Sequence, residues 1–130
     1  MELRFAPEEE VAPRLLLGEY NGQFVQSVED LSCVMEEAGR CLGGINAFRI
    51  DGLLMVDRLW VAADQRGKAI GTKLLSAVEE KARSGGAKQA ELNTFGFQAP
   101  AFYEKMGYRL FGSLENVVGK YGHYFYVKDL

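Results

Sequence analysis

Apolar residues in this chain recur with two different periods, and the switch between them marks out its elements. Residues 53–61, Leu-Leu-Met-Val-Asp-Arg-Leu-Trp-Val, are rich in β-branched and aromatic side chains and have the length of one strand. After a short polar stretch, Ile70, Leu74, Leu75, Val78 and Ala82 follow at steps of four, one, three and four. That spacing lines one face of a helix, which Gly85 and Gly86 end. Upstream, residues 31–35 and 40–50 read as two strands joined at Glu36-Glu37-Ala38-Gly39, a short hairpin in which Gly supplies a positive φ. Asp51-Gly52 is a second hairpin signal, so three consecutive strands are predicted as antiparallel neighbours. Residues 89–95 form the next strand, and the helical crossover before it makes it parallel to residues 53–61. Pro100 falls in the first turn of a second helix, where its missing N–H is harmless; that helix ends at Met106 with Gly107 as its C-cap. Residues 108–111 and 123–128 read as the last two strands.

The N-terminal part is patterned less clearly. Residues 3–5 are expected to form a short first strand. Between residues 7 and 25, Val11, Leu15, Leu16, Phe24 and Val25 fit helical spacing loosely, interrupted by Gly18 and Gly22. The order of elements predicts an α/β protein with a mixed, mostly antiparallel sheet and flanking helices. A chain of 130 residues with 48% apolar composition suits a single domain with a sizeable core. Trp60 and Phe95, on central strands, are assigned to that core.

The chemistry sits between the strand at 53–61 and the helix at 70–84. Gln65-Arg66-Gly67-Lys68-Ala69-Ile70-Gly71-Thr72 opens that helix, whose first-turn amides have no partner inside it and whose summed peptide dipoles make this end partly positive. Anions settle at such ends. Gly67 and Gly71 remove side chains where a phosphate must approach the main chain, and Arg66 and Lys68 add charge-assisted donors. The spacing excludes two common nucleotide loops. A P-loop needs four residues between its glycines and a Lys directly after the second, whereas Gly67 and Gly71 enclose three and Thr72 precedes Lys73. A dinucleotide fingerprint needs a third glycine, which is absent here.

What remains resembles the acyl-CoA loop of the GCN5-related N-acetyltransferase (GNAT) superfamily: Gln or Arg, two residues, Gly, one residue, then Gly or Ala. Arg66, Ala69 and Gly71 occupy the three specified positions, with Ala69 where the family usually has Gly. Alanine adds one methyl and tolerates helical dihedrals, so weaker binding is expected, not its loss. A second stretch, residues 96–108, is similar to the family's later helix, with Ala99, Phe102, Tyr103, Gly107 and Tyr108 matching. The family's Asn, which commonly contacts the pantetheine arm, is replaced by Gly96, and Asn93 lies close by in sequence. The order of elements fits the family from about residue 41 to residue 112.

The resemblance implies a fold and a set of roles. The fold is the GNAT acyl-CoA N-acyltransferase fold, in which the central parallel strand pair splays apart and the pantetheine lies in the gap. Backbone groups of Leu59, Trp60 and Val61 would then pair with the pantetheine amides as an added strand. Arg66, Gly67, Lys68, Ala69, Ile70, Gly71 and Thr72 would hold the diphosphate, and Asn93 is counted with the cofactor-binding residues. Tyr103 matches the position whose phenol protonates the departing thiolate. Asp57 is the carboxylate candidate for the general base, although it reads equally as a structural acid paired with Arg49 or Arg58. His123, the only histidine, has the right chemistry for proton transfer, and reads as well as a surface or packing residue.

Acetyl-CoA is accordingly the expected co-substrate, with direct transfer to a primary amine of a small molecule or protein, and no metal. The rival reading is an acyl-CoA-binding module of the same fold that has lost catalysis. An ATP- or NAD-dependent enzyme is disfavoured by the loop spacing. The acceptor pocket is expected from the N-terminal helical region and a loop at residues 113–122, where Tyr121, Tyr124 and Tyr126 face it or serve as ordinary strand residues.

Bulk properties exclude other classes. Net charge is −3, with Lys and Arg scattered, which argues against nucleic acid as the main ligand. No apolar run approaches the roughly 20 residues that span a bilayer. The acidic N-terminus lacks the basic and apolar regions of a signal peptide, so a cytoplasmic location is the simplest expectation. Cys33 and Cys41 are read as buried thiols with no zinc-site spacing. Relatives often pair through terminal strands, which makes a homodimer conceivable.

Overall fold

A computed structural model describes residues 1–130. Two short helices, α1 (Glu8–Val11) and α2 (Leu17–Asn21), flank a single 3-10 turn at Ala12–Arg14. None of these residues is buried, and residues 3–5 form no strand. Two glycines and the absence of capping side chains leave this segment with little to hold a longer helix together.

The strands are β1 (Val28–Asp30), β2 (Cys33–Glu37), β3 (Arg40–Ile50), β4 (Leu53–Val61), β5 (Gln89–Phe95), β6 (Arg109–Val118) and β7 (Tyr121–Asp129). They form one seven-stranded sheet in the order β1-β3-β4-β5-β7-β6, with β2 also pairing β3. The turn from β2 to β3 carries Ala38 and Gly39 at φ of 50° and 80°, the double positive φ that a tight hairpin demands. Asp51, at φ 47°, turns β3 into β4, and its carboxylate accepts the amides of Gln26 and Ser27. Only β4 and β5 are parallel, as the crossover through α3 (Ile70–Ser84) requires. The final hairpin is longer than the apolar pattern indicates. Residues 113–122, expected as a loop, belong mostly to β6 and β7, and register shifts at Leu110/Gly112 and Leu114/Val118 hide the strand periodicity.

One face of the sheet is covered by α3 and α4 (Pro100–Lys105). Ile70, Leu74, Leu75, Val78 and Ala82 of α3 are buried there with Ile45, Ala47, Leu54, Val56, Ala90 and Leu92. Full burial of an aliphatic side chain contributes about 1.5–3 kcal/mol, so this face is a major source of the fold's stability. Close packing is set by Gly43, where an added Cβ would lie 2.8 Å from the Trp60 carbonyl oxygen and 3.1 Å from Ile70 Cγ2. Within this core sits Glu79, 4% exposed. It accepts Tyr108 Oη at 2.7 Å and Lys128 Nζ at 3.0 and 3.1 Å, tying α3 to β7. Arg49, also buried, donates to Ser27 Oγ at 2.7 Å and the Asp51 carbonyl at 2.9 Å, and lies 3.4 Å from Glu29.

The opposite face is open. Phe95 packs there against His123 and Phe97 instead of in the core, and Trp60 is 55% exposed. Cys41 is exposed and Cys33 half-buried, so neither is the sealed thiol expected.

Candidate active site

Beyond their first three residues the two parallel strands part. Register pairs join Leu53, Leu54 and Met55 to Gln89, Ala90 and Glu91, and then stop. From Val56 onward the edge of β4 that faces β5 has no strand partner, while its other edge stays paired to β3 through Val61. A β-bulge at Asp57 lies just past the parting point: Asn46 pairs with Arg58, yet Ala47 pairs with Val56. The extra residue inverts the alternation. Leu54 and Val56 face the helices, and so do Leu59 and Val61, while Asp57 is turned to the open face. Asp57 is therefore not on the side of Leu59 and Val61. Its carboxylate lies 3.6 Å from the Arg58 guanidinium, and Arg49 is engaged elsewhere.

The gap opens into a trough of two adjoining parts. The first, about 280 Å³, is lined by Val61, Gln65, Arg66, Gly67, Ala69, Ile70, Gly71, Thr72 and Phe102. The second, about 520 Å³, shares Val61, Arg66, Gly71 and Phe102 and continues past Leu59 and Trp60 to Phe97, Gln98, Ala99 and Tyr103. At its head, α3 begins without a capping side chain. The amides of Ile70, Gly71 and Thr72 thus have no protein partner, and the loop leading to them is positioned for an anion. Gly67 sits at φ 82° with open space where its side chain would be. Gly71 has a second role besides approach to a ligand, since a Cβ there would meet the Phe102 ring at 3.4 Å and Val61 Cγ2 at 3.7 Å. It lets α4 close over α3. Arg40 braces the turn before the loop by a two-pronged bond to Asp64, which holds that carboxyl down at about 2.

Ala69 is left-handed, at φ 62° and ψ 21°, not helical. That conformation costs a non-glycine residue about 1–2 kcal/mol. Ala69→Gly should therefore raise stability by roughly 0.5–1 kcal/mol, after the added entropy of the unfolded chain is subtracted. Urea unfolding would read this as a higher midpoint at unchanged slope; a lower midpoint would mean that the methyl group contributes packing instead of strain.

Tyr103 stands at the far end of the trough on α4, whose course is set by Pro100 in its first turn and by Gly107 at φ 92° after its end. The residue is 7% exposed, and its ring meets Phe102 and Tyr108 edge-on, at centroid distances of 5.2 and 6.0 Å. The hydroxyl has no hydrogen-bond partner in the protein and is not sealed from the trough. Burial pushes the phenol above its ordinary pKa, so the group holds its proton. Such a group can donate a proton to an anion formed beside it.

Of the residues singled out in the sequence, the trough gathers Leu59, Trp60, Val61, Arg66, Gly67, Ala69, Ile70, Gly71, Thr72 and Tyr103. Lys68 lies in the loop, but its Nζ is 3.3 Å from Gln65 Oε1 and it does not line the trough. Asn93 is on the other face, where its Oδ1 lies 3.1 Å from His123 Nε2. Gly96, at the position of the family's Asn, is hemmed in: a Cβ there would meet the Tyr124 and Tyr121 rings at 3.4 and 3.5 Å. Tyr126 is buried and bonds Glu104 at 3.3 Å, Tyr124 is half-buried, and Tyr121 is exposed against Phe97. Gln98 and Phe97 were not anticipated; Gln98 Oε1 accepts the Phe95 amide at 2.8 Å and shapes the turn that carries both into the trough.

The comparisons with known proteins decide the family. The model of the Acetyltransferase (GNAT) family matches residues 1–108. The chain belongs to the GNAT acetyltransferases. A blasticidin-S acetyltransferase of Streptomyces morookaense is 36% identical over 95 residues, which are 72% of this chain and 70% of that one. A crystal structure of an acetyltransferase from Bacillus cereus superposes with a TM-score of 0.85 at 28% identity, covering 100% of this chain and 98% of the other. An aminoglycoside 6'-N-acetyltransferase crystallised with coenzyme A shares the fold at a TM-score of 0.65 and 21% identity, over 75% of this chain and 71% of that one. The mostly antiparallel sheet with its single parallel strand pair and flanking helices is thus that of a GNAT acetyltransferase, as the sequence leads one to expect. No helix is long and apolar enough to cross a membrane.

Proposed function

We propose that this GNAT acetyltransferase takes acetyl-CoA as donor and passes the acetyl group directly to a primary amine. The observation that carries this reading is the continuity of the trough: unpartnered amides at one end, an unpaired strand edge along its side, and a protonated phenol at the other end. The residues fit the donor part by part. The amides of Ile70, Gly71 and Thr72, with Arg66, suit a diphosphate. The free edge of β4 at Leu59, Trp60 and Val61 suits the two amides of a pantetheine arm, which would extend the sheet like a strand. When bound, acetyl-CoA supplies an activated acyl group on a sulfur leaving group. The amine nitrogen forms a bond to the acyl carbon, the carbon–sulfur bond breaks, and the thiolate takes the Tyr103 proton. The proton shed by the amine passes to solvent or to a base, for which Asp57 and the acceptor's own surroundings are the candidates.

Arg66→Ala should raise the KM for acetyl-CoA about tenfold or more at little change in kcat, because a charge-assisted bond to phosphate is made equally in ground and transition states. An unaltered KM would remove Arg66 from the site. The reaction itself is tested by thiol release from acetyl-CoA against a panel of primary amines. Acceptor-dependent release supports transfer. Saturable acetyl-CoA binding with no release for any amine would favour the rival, a binding module; the open Tyr103 hydroxyl speaks for the enzyme.

A further inference from the structure

The open face of the sheet carries a second cavity between the same two strands, nearer the point where they part. It measures about 340 Å³ and is lined by Phe48, Met55, Val56, Asp57, Glu91, Leu92, Asn93, Phe111 and Phe125. Register places its floor: Phe48 is opposite Met55, Met55 is opposite Glu91, and Asn93 is opposite Phe125. Phe111 reaches it as the extra residue of the bulge in β6, its ring centroid 6.3 Å from that of Phe125. Asp57 and Glu91 are the only ionisable residues in the lining, and both are acidic.

The two carboxylates differ. Asp57 is offset by Arg58 at 3.6 Å. Glu91 is half-buried and makes no ion pair or hydrogen bond within the protein; Arg109, two strands away in the same row, is turned to Asp129 at 3.8 Å. A half-buried carboxylate with no partner in the protein, in a cavity it shares with three phenylalanines, attracts a cation more strongly than one fully in water. The rings add to the attraction, because their faces favour cations.

We propose that Glu91 and the rings around it select the acceptor, an organic amine carrying a second cationic group besides the nitrogen that reacts. This rests on the acetyltransferase reading and names its substrate class. The reacting nitrogen must be neutral and must reach the acyl carbon beside Tyr103, in the trough. A nitrogen held against Glu91 would stay an ammonium ion and could not attack. The charge bound in this cavity is therefore a different one on the same molecule, and the parted strands leave the gap through which the amine arm reaches the donor.

The binding test uses phenyltrimethylammonium, a cation that has no N–H to acetylate, followed through backbone amide NMR of the whole chain. It should shift the amides of Asp57, Glu91 and Asn93. E91Q should weaken its binding about tenfold, as loss of a charged partner implies, while calorimetric affinity for acetyl-CoA stays at the wild-type value. Neutral N,N-dimethylbenzamide should shift these amides far less. In turnover, amines with two cationic groups should have a lower KM than their one-cation analogues, and E91Q should abolish that advantage. Equal binding of the cation and the neutral compound, no shift at these amides, or an E91Q protein with unchanged cation affinity would each overturn the proposal. Failure of the acetyltransferase reading shows separately, as loss of acetyl-CoA heat in the wild type with the Glu91-dependent cation shifts still present.

Discussion

Tyr103→Phe is expected to lower kcat about 10²–10⁴-fold, the range over which a positioned acid acts, with KM for acetyl-CoA nearly unchanged. The substitution removes one oxygen and leaves the ring, so packing against Phe102 and Tyr108 survives. That oxygen bonds no protein group, so stability should shift little, and the loss falls on the leaving thiolate. The direction of the pKa shift matters here. Burial raises the phenol above the ordinary tyrosine value of about 10, so it stays protonated throughout the neutral range, and activity should not fall through its ionisation until the pH passes that value. Steady-state kinetics of the two proteins across pH would check both points. A Y103F enzyme with wild-type kcat would exclude the phenol from the chemistry.

The second large effect is on folding. Glu79→Ala should destabilise the protein by about 3–5 kcal/mol, because it leaves the part-buried Lys128 ammonium and the buried Tyr108 hydroxyl without their partner. Burial, and then the Glu79 carboxylate beside it, hold the Tyr108 phenol far above its usual pKa, so it is a permanent donor to Glu79. In a chain of this length such a loss lowers Tm by more than about 10 °C. Glu79→Gln keeps an acceptor for Tyr108 and should cost less. Thermal unfolding of the three proteins orders them; an E79A protein within about 1 kcal/mol of wild type would mean that Lys128 finds water when its partner is removed.

Local chemistry was readable wherever it depended on spacing along the chain. The α3 face, the crossover, the Pro100 start and Gly107 end of α4, and the two hairpins of β2, β3 and β4 all follow from period and turn residues. What escaped depends on contacts between distant residues. The bulge at Asp57 breaks the period-two alternation in a strand whose side chains are apolar on both sides of it, so nothing in the sequence marks it. It decides that Asp57 faces the open side. The two register shifts in β6 disguised a ten-residue strand as a short strand and a loop. Ala69 is a similar case, since the motif shows which residue stands there but not that the backbone turns left-handed. Asn93 lay near the site in sequence and on the wrong face in space, a consequence of strand alternation relative to Thr94 and Leu92, which are buried under the helices. Glu91 could not be distinguished from any exposed strand glutamate until the sheet order brought Phe125 and Phe111 beside it.

In the proposed reaction, main-chain amides at the start of α3 and the free edge of β4 hold coenzyme A along the trough toward Tyr103. Backbone amide NMR with added coenzyme A tests it most directly. Saturable shifts should concentrate at residues 66–72 and 59–61 and extend to Tyr103, with the β1 and β2 amides still. Shifts that bypass residues 66–72, or none at millimolar ligand, would mean that coenzyme A does not bind there.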